Sequence, residues 1–454
     1  MSAIDQYLDA QAARFEDELC DFLRIPSVSA DTANRGDMQR AADWLADQFR
    51  RLRLTAEIIP TAGHPLVFAQ SPNVPGAPTA LVYGHYDVQP ADPLEKWTTK
   101  PFEPTRRDGN IVARGATDDK GQVFTHIKSV EAWITVEGRL PLNLKFLIEG
   151  EEEIGSVNLE HYIAAHPDKL ACDCVVISDG SQFAPGIPAI TYGLRGIAYY
   201  ELHATGPNRD LHSGTFGGSV TNPANALCKM MAGLIDANGR VTVPGFYDDV
   251  APLSDRERKE TAALPFDEKE YFEQIGVTGA VGEVGYTTLE RRAARPTFDI
   301  CGLWGGYQGE GSKTVLPSTA GVKFSFRLVP NQDPKKIFPA LKKKIAELCP
   351  PGITTTLTDE HSAPGVLVPL DSPYIEASAR AIEYAFGRRP VFTREGGSIP
   401  IVTTFHQRLH ADALLIGWGQ EDDNCHSPNE KFSLADFHRG IKASAKLWEE
   451  LAKI

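Results

Sequence analysis

The sequence predicts an α/β protein in two parts. A three-layer α/β/α domain with a mixed, mostly parallel sheet spans residues 1–196 and 372–454, and a smaller α+β domain over 197–371 is inserted into it. Three observations carry this. Short apolar runs alternate with amphipathic segments up to Gly196 and again from about residue 372, the pattern of a parallel sheet covered on both faces. Between those stretches the strands become half-polar, as in a sheet with one open face. A chain of 454 residues is also too long for one ordinary hydrophobic core.

Taken in order, Ile4, Tyr7, Leu8, Ala12, Phe15, Leu19 and Phe22 recur at helical spacing and predict a first helix over 4–23. Pro26 marks a loop, and Met38, Ala41, Leu45 and Phe49 predict a second helix over 37–52. Strand-like runs follow at 56–59, 66–69 and 80–83, the last ending in Gly84-His85-Tyr86-Asp87. Asp108-Gly109 predicts a hairpin turn. A helix is expected over 121–135 and a strand over 142–148, running into Glu149-Gly150-Glu151-Glu152-Glu153. A short helix over 158–165 precedes a buried strand, 174–177, that ends in Ser178-Asp179. Beyond Gly196 come a half-polar strand (197–204), a helix (222–236) and a charged stretch without periodicity (237–310). An alternating strand (322–329), a Lys-rich helix (333–347) and a further strand (353–357) complete the insert. The first pattern then returns with a helix over 372–386, a strand over 412–416 and a last helix presenting Leu434, Phe437, Ile441, Trp448 and Leu451 on one face.

The net charge of -14 argues against nucleic acid and against an anionic membrane surface, both of which attract basic proteins. No apolar run approaches the roughly 20 residues of a membrane span, and the first residues lack the basic and apolar regions of a signal peptide. Seven scattered cysteines, an odd number, predict no disulfide framework and fit a reducing cytoplasm.

In open α/β sheets, ligands bind beyond the carboxyl ends of the strands. Three predicted strands end there in metal-ligand types: His85, the glutamate run 151–153, and Asp179. A further acidic pair, Asp118-Asp119, stands in a glycine-bounded loop before a helix. Alone, a glutamate run is commonly a solvated loop and an aspartate before a helix commonly a cap. Their joint placement is what points to chemistry. Clustered carboxylates repel one another unless cations neutralise them, and two divalent ions bridged by a carboxylate would do so.

These residues resemble a family. His85-Tyr86-Asp87, Arg114-Gly115-Ala116-Thr117-Asp118-Asp119-Lys120-Gly121, Glu152-Glu153-Ile154-Gly155-Ser156, Ser178-Asp179 and His426 look like the aminoacylase/carboxypeptidase family of co-catalytic metallopeptidases, in order and over nearly the whole chain. Ile190-Thr191-Tyr192-Gly193-Leu194-Arg195-Gly196, Asp210-Leu211-His212-Ser213-Gly214, Gly396-Gly397-Ser398-Ile399-Pro400 and His426-Ser427-Pro428-Asn429-Glu430 bring the resemblance closest to the cytosolic nonspecific dipeptidases of carnosine and Cys-Gly type.

The resemblance implies that His85 and Asp179 bind one metal, Glu153 and His426 the other, and that Asp118 bridges. It makes Glu152 the general base and Asp87 the holder of the His85 ring. It implies a cis bond between Asp118 and Asp119. The Gly155-Ser156 anchor selects Glu152 and Glu153 from the run and leaves Glu151 to solvent. The inserted domain becomes a lid and dimerisation domain. His212 would reach across a homodimer to steady the oxyanion, while Thr314, Arg327 and Ser398 would contact substrate. The metals would be zinc, the default for a His/carboxylate hydrolytic pair, or manganese, which the three carboxylates also suit.

The reaction implied is hydrolysis of the peptide bond of a dipeptide or short peptide. In the family, Asp at position 179 goes with dipeptidases and aminopeptidases, Glu with deacylases and carboxypeptidases. An N-acyl-amino-acid amidohydrolase or carboxypeptidase on the same scaffold is therefore the alternative. A silent binding protein is expected to have lost a ligand or the base, and none is lost here. Gly306-Tyr307-Gln308-Gly309-Glu310-Gly311-Ser312-Lys313-Thr314 nearly spells a phosphate-binding loop, but its lysine falls one residue late. His406 and His410 are expected on one helix at i, i+4, without a visible third ligand.

Overall fold

A computed structural model describes residues 2–397 and 400–454. The chain forms two compact units: Met1–Tyr192 with Val368–Thr393 and Thr404–Ile454, and Gly193–Leu367 with Arg394–Thr403.

At the centre of the first unit, the strand Thr79–His85 lies between Asn143–Glu149 and Cys174–Ile177, and Asp412–Ile416 pairs with the last of these. All these pairings are parallel. Leu81, Val82, Phe146, Leu147, Val175 and Val176 are fully buried, because helices cover both faces and no side of these strands meets water. The flanks are antiparallel: Thr55–Ile59 on Leu66–Gln70, Leu66–Gln70 on Asn143–Glu149, and Asp412–Ile416 on Ala189–Leu194. The major helices are Ala3–Leu23, Arg35–Arg51, Lys120–Glu137, Pro373–Phe386 and Leu434–Leu451.

Parallel register decides where the chemistry falls. His85 stands opposite Glu149, and Tyr83 opposite both Leu147 and Ile177. The chain therefore leaves each of the three strands at the same edge of the sheet. Gly84 is required just there: a Cβ would lie 2.2 Å from Val123 Cγ2 and 2.6 Å from Asp119 Oδ2, so any side chain would push the start of the Lys120–Glu137 helix off the strand.

The second unit holds a four-stranded antiparallel sheet in the order Thr297–Gly305, Thr319–Leu328, Gly196–Thr205, Thr354–Ala363. Tyr200, Leu202, Phe324 and Phe326 pack with Met230 and Leu341, from the helices Pro223–Ala232 and Pro334–Leu348, in one buried cluster.

The stretch 237–310, expected to be irregular, contains the helices Asp255–Ala262, Glu268–Gln274 and Thr288–Ala294 and the strand Thr297–Gly305. The first two helices bury no residue, so they carry no apolar stripe to read; a capping box, Ser254 with Glu257, starts the first. The strand is an edge strand exposed or half-exposed along its length, which removes the alternation. The helix Pro400–Leu409 ends before His410, whose φ of 54° is left-handed, so the expected i, i+4 histidine pair does not share a helix. Among the described residues no helix is long and apolar enough to cross a membrane.

Candidate metal centre

His85 arrives at the sheet edge fully buried. Its Nδ1 lies 3.0 Å from the Asp87 carbonyl oxygen and 3.3 Å from Asp87 Oδ1, so the ring is oriented from behind. Its Nε2 faces forward, 3.1 Å from Asp118 Oδ1 and 3.7 Å from Asp179 Oδ2. The other oxygen of Asp118, Oδ2, lies 2.9 Å from His426 Nε2, which is 3.3 Å from Glu153 Oε2. One carboxylate thus faces two imidazoles with one oxygen each. The ligand atoms of His85, Asp118 and Asp179 lie within 4.8 Å of one another, as do those of Asp118, Glu153 and His426.

The charge state of this cluster is a problem that a cation would solve. Burial pushes the carboxyls of Asp179 and Glu153 up to about 7 and also raises that of Glu152. Against its burial, the carboxylates of Asp118 and Asp87 hold His85 well above the ordinary imidazole range. Yet His85 Nε2, buried and aimed at two carboxylates, makes no hydrogen bond. A buried imidazole nitrogen without a hydrogen bond, set among carboxylate oxygens, fits a metal ligand, and two imidazoles with three carboxylates form a donor set that zinc and manganese both accept. The residues fit a pair of divalent ions.

Asp87 does more than orient the ring. Its Oδ1 accepts from the Glu152 amide at 3.3 Å and its Oδ2 from the Glu153 amide at 3.1 Å, so one buried carboxylate fixes both His85 and the glutamate turn. The Asp118–Asp119 peptide bond is cis, as the resemblance implied. Asp119 forms no side-chain cap on the helix that follows; its Oδ2 accepts from the His85 amide at 3.2 Å.

In the second unit, His212 pairs with Val315 between two short antiparallel strands, and the Ser213 amide donates to the Thr314 carbonyl at 3.1 Å. His212 and Thr314 are therefore neighbours, both exposed. The Gly214 amide donates to His212 Nδ1 at 3.1 Å, which leaves Nε2 as the protonated nitrogen of the neutral ring. Arg327 stands at the other end of the strand Thr319–Leu328, opposite Ile197. Burial, then the nearby cations of Arg327 and Arg292, draw Arg195 down to about 10 against the opposing charge of Asp299. Ser398 lies outside the described residues. The glycine-rich 306–314 segment follows an exposed edge strand and leads into the strand Val315–Leu316, not into the helix that a phosphate loop requires.

A family model described as peptidase family M20/M25/M40 matches residues 81–450. The chain belongs to this family. Among its M20-type relatives, it is 34% identical to the Cys-Gly metallodipeptidase dug1 of Schizosaccharomyces pombe, over 99% of this chain and 98% of that one. The structure of human carnosine dipeptidase 1 superposes with a TM-score of 0.76 at 32% identity, covering 99% of this chain and 98% of the other. That of the M20 family metallo-carboxypeptidase Sso-CP2 from Sulfolobus solfataricus does so with 0.81 at 34% identity, covering 97% and 99%.

Three glutamates around this M20 cluster escaped the sequence reading. Glu151, expected in solvent, is buried; it accepts from the His64 amide at 2.9 Å and from Asn158 Nδ2 at 2.7 Å. The chain turns at Gly150 and Gly155, which directs Glu151 inward. Glu149 is fully buried, and its Oε1 accepts from the Tyr83 hydroxyl at 2.7 Å and from Ser156 Oγ at 2.9 Å, tying the glutamate turn to the His85 strand. Glu430 is also fully buried, under the loop that carries Asp118. In the sequence it stood out only as the last residue of the His426-Ser427-Pro428-Asn429-Glu430 motif, with no role attached.

Proposed function

We propose that this M20 peptidase is a cytoplasmic dipeptidase in which His85 and Asp179 hold one divalent ion, Glu153 and His426 a second, and Asp118 both. The observation that carries this reading is Asp118, with one oxygen toward each imidazole. Bound there, zinc or manganese would polarise the scissile carbonyl and acidify the attacking water. Glu152 takes the water's proton and returns it to the leaving amine. His212 donates from Nε2 to the oxyanion. Arg327 and Ser398, with Thr314 coming beside His212 from a second copy, receive the substrate's polar ends; a guanidinium suits a carboxylate because it binds in a two-pronged fork. All seven cysteines are free, which fits a reducing compartment.

The second unit's geometry favours a homodimer. From Thr319, at the His212 end of its strand, to Arg327 is eight residues of extended chain, roughly 26 Å. A dipeptide spans only about 7 Å. That reach supports a site in which His212 of a second copy joins Arg327 of the first. Co-expression of His212→Ala with Glu152→Gln tests this. Each variant alone should be inactive, and the hybrid dimer should recover activity because one of its sites has both groups intact. No recovery from a demonstrated hybrid would rule out the reach across the dimer.

The substrate class is tested with metal-stripped protein, zinc or manganese added back, and a panel of Ala-Ala, Cys-Gly, N-acetyl amino acids and N-blocked tripeptides. Metal-dependent cleavage of the free dipeptides is expected. The similarity to the Sulfolobus metallo-carboxypeptidase supports a second reading. Preference for N-blocked substrates would move the protein there, and failure to bind metal would sink both.

A further inference from the structure

Asp118 and His426 are 308 positions apart in sequence, yet the reading above needs them to share one ion. Something has to hold their loops together. Both loops meet on a single side chain. Glu430 Oε2 accepts from Arg114 Nη1 at 2.9 Å and from the Gly115 amide at 2.8 Å. Its Oε1 accepts from the Thr117 amide at 3.0 Å and from the Asp118 amide at 3.1 Å. The Ala113 amide adds a fifth tie, to the Glu430 carbonyl at 3.0 Å. The carboxylate has four donors, one of them cationic, and no exposure to water. It belongs to neither group of potential metal ligands.

The other end of this clamp is fixed as well. Asn429 Oδ1 accepts from the Thr98 amide at 2.7 Å, and Asn429 Nδ2 donates to the Lys96 carbonyl at 2.9 Å. The turn from His426 to Glu430 is thus pinned to a neighbouring loop and passes that position on to the Asp118 backbone. Arg114, by contrast, reaches Glu430 only through its side chain and is anchored separately, its Nη2 donating to the Pro90 carbonyl at 3.2 Å.

We infer that Glu430 is a positioning residue for the metal centre: it holds the 114–118 loop against the His426 turn and so sets the place of Asp118 relative to His426. This rests on the ligand assignment proposed above. A carboxylate engaged by three backbone amides of a ligand-bearing loop, those of Gly115, Thr117 and Asp118, acts on the ligand as the outer partners of metal-bound side chains do, and loss of such partners typically weakens metal binding by about 10–100-fold.

The test is a zinc titration of metal-stripped protein against a chromophoric chelator, which reads affinity and stoichiometry without turnover. Wild type should bind two ions. Glu430→Gln keeps the size but replaces one acceptor oxygen with a donor that faces N–H groups, and should bind zinc about 10–100-fold more weakly. Arg114→Lys keeps the carboxylate and its backbone donors, and should stay within about threefold of wild type while melting at a lower temperature. Should Glu430→Gln not fold, Glu430→Asp, which draws the carboxylate back by one methylene, carries the same expectation. Wild-type zinc affinity in a folded Glu430 variant overturns the inference. So does an Arg114→Lys protein as weakened as the Glu430 variant, since that would mean general loosening. Wild type that binds no zinc marks a different failure, that of the ligand assignment itself.

Discussion

Glu152→Gln is expected to leave metal content unchanged and to lower kcat by about 10²–10⁴-fold, the range that a positioned acid–base group contributes. The substitution is nearly isosteric. The backbone contact that fixes the turn runs from the Glu152 amide to Asp87 Oδ1 and does not involve the side chain that changes. Glu153, the neighbouring ligand type, keeps its own amide bond to Asp87 and accepts from Gln89 Nε2 at 2.6 Å. What disappears is only the capacity to accept a proton from water and pass it to the departing amine. The control is Glu151→Gln. Glu151 is occupied by the His64 amide and Asn158 and stands buried behind the turn, so its amide variant should keep turnover within a few-fold. Metal content by elemental analysis beside steady-state kinetics separates the cases. An active Glu152→Gln, or an inactive Glu151→Gln with full metal content, would reassign the base.

The parts of this molecule that could be read from sequence share a physical cause. A strand buried on both faces is a run of apolar residues, and where it ends a polar residue is conspicuous, so His85 and Asp179 stood out. The parallel register that the apolar runs implied is what brings those ends to one edge. Asp118 was visible for a different reason: the glycines around it mark a loop where backbone must pass closely, and Gly115 has a φ of 80°. What stayed hidden is above all the bonding of carboxylates to backbone amides. Glu430 bonds the amides of Gly115, Thr117 and Asp118, and Asp87, expected only to hold the His85 ring, also bonds those of Glu152 and Glu153. An amide is present at every residue but proline, so such pairings leave no compositional trace. Glu151 was misread because three adjacent acids look solvated, and only the turn between Gly150 and Gly155 shows that one of them points inward. The polar helices of the insert were missed because capping and charge, not an apolar stripe, mark them.

Asp118→Asn is expected to abolish metal binding at both positions, not at one. Every other proposed ligand belongs to a single group, His85 and Asp179 to one, Glu153 and His426 to the other, and Asp118 alone belongs to both. An asparagine in its place keeps the backbone contact to Glu430 and one carbonyl oxygen, but its amide nitrogen would face an imidazole as a donor and repel a cation. Activity should fall below detection. Stability gives a sharper reading than activity. An ion that binds only the folded protein stabilises it by about 4 kcal/mol at a thousandfold excess over its Kd. Wild-type protein should therefore melt at a clearly higher temperature with zinc than after chelation, whereas Asp118→Asn should melt at the same temperature in both. His426→Ala should behave differently: it removes a ligand from one group only, so about one ion per chain and part of the thermal shift should remain. Loss of both ions in His426→Ala would mean that the two positions fill only together. Retention of both in Asp118→Asn would remove the bridging carboxylate on which the two-metal reading stands.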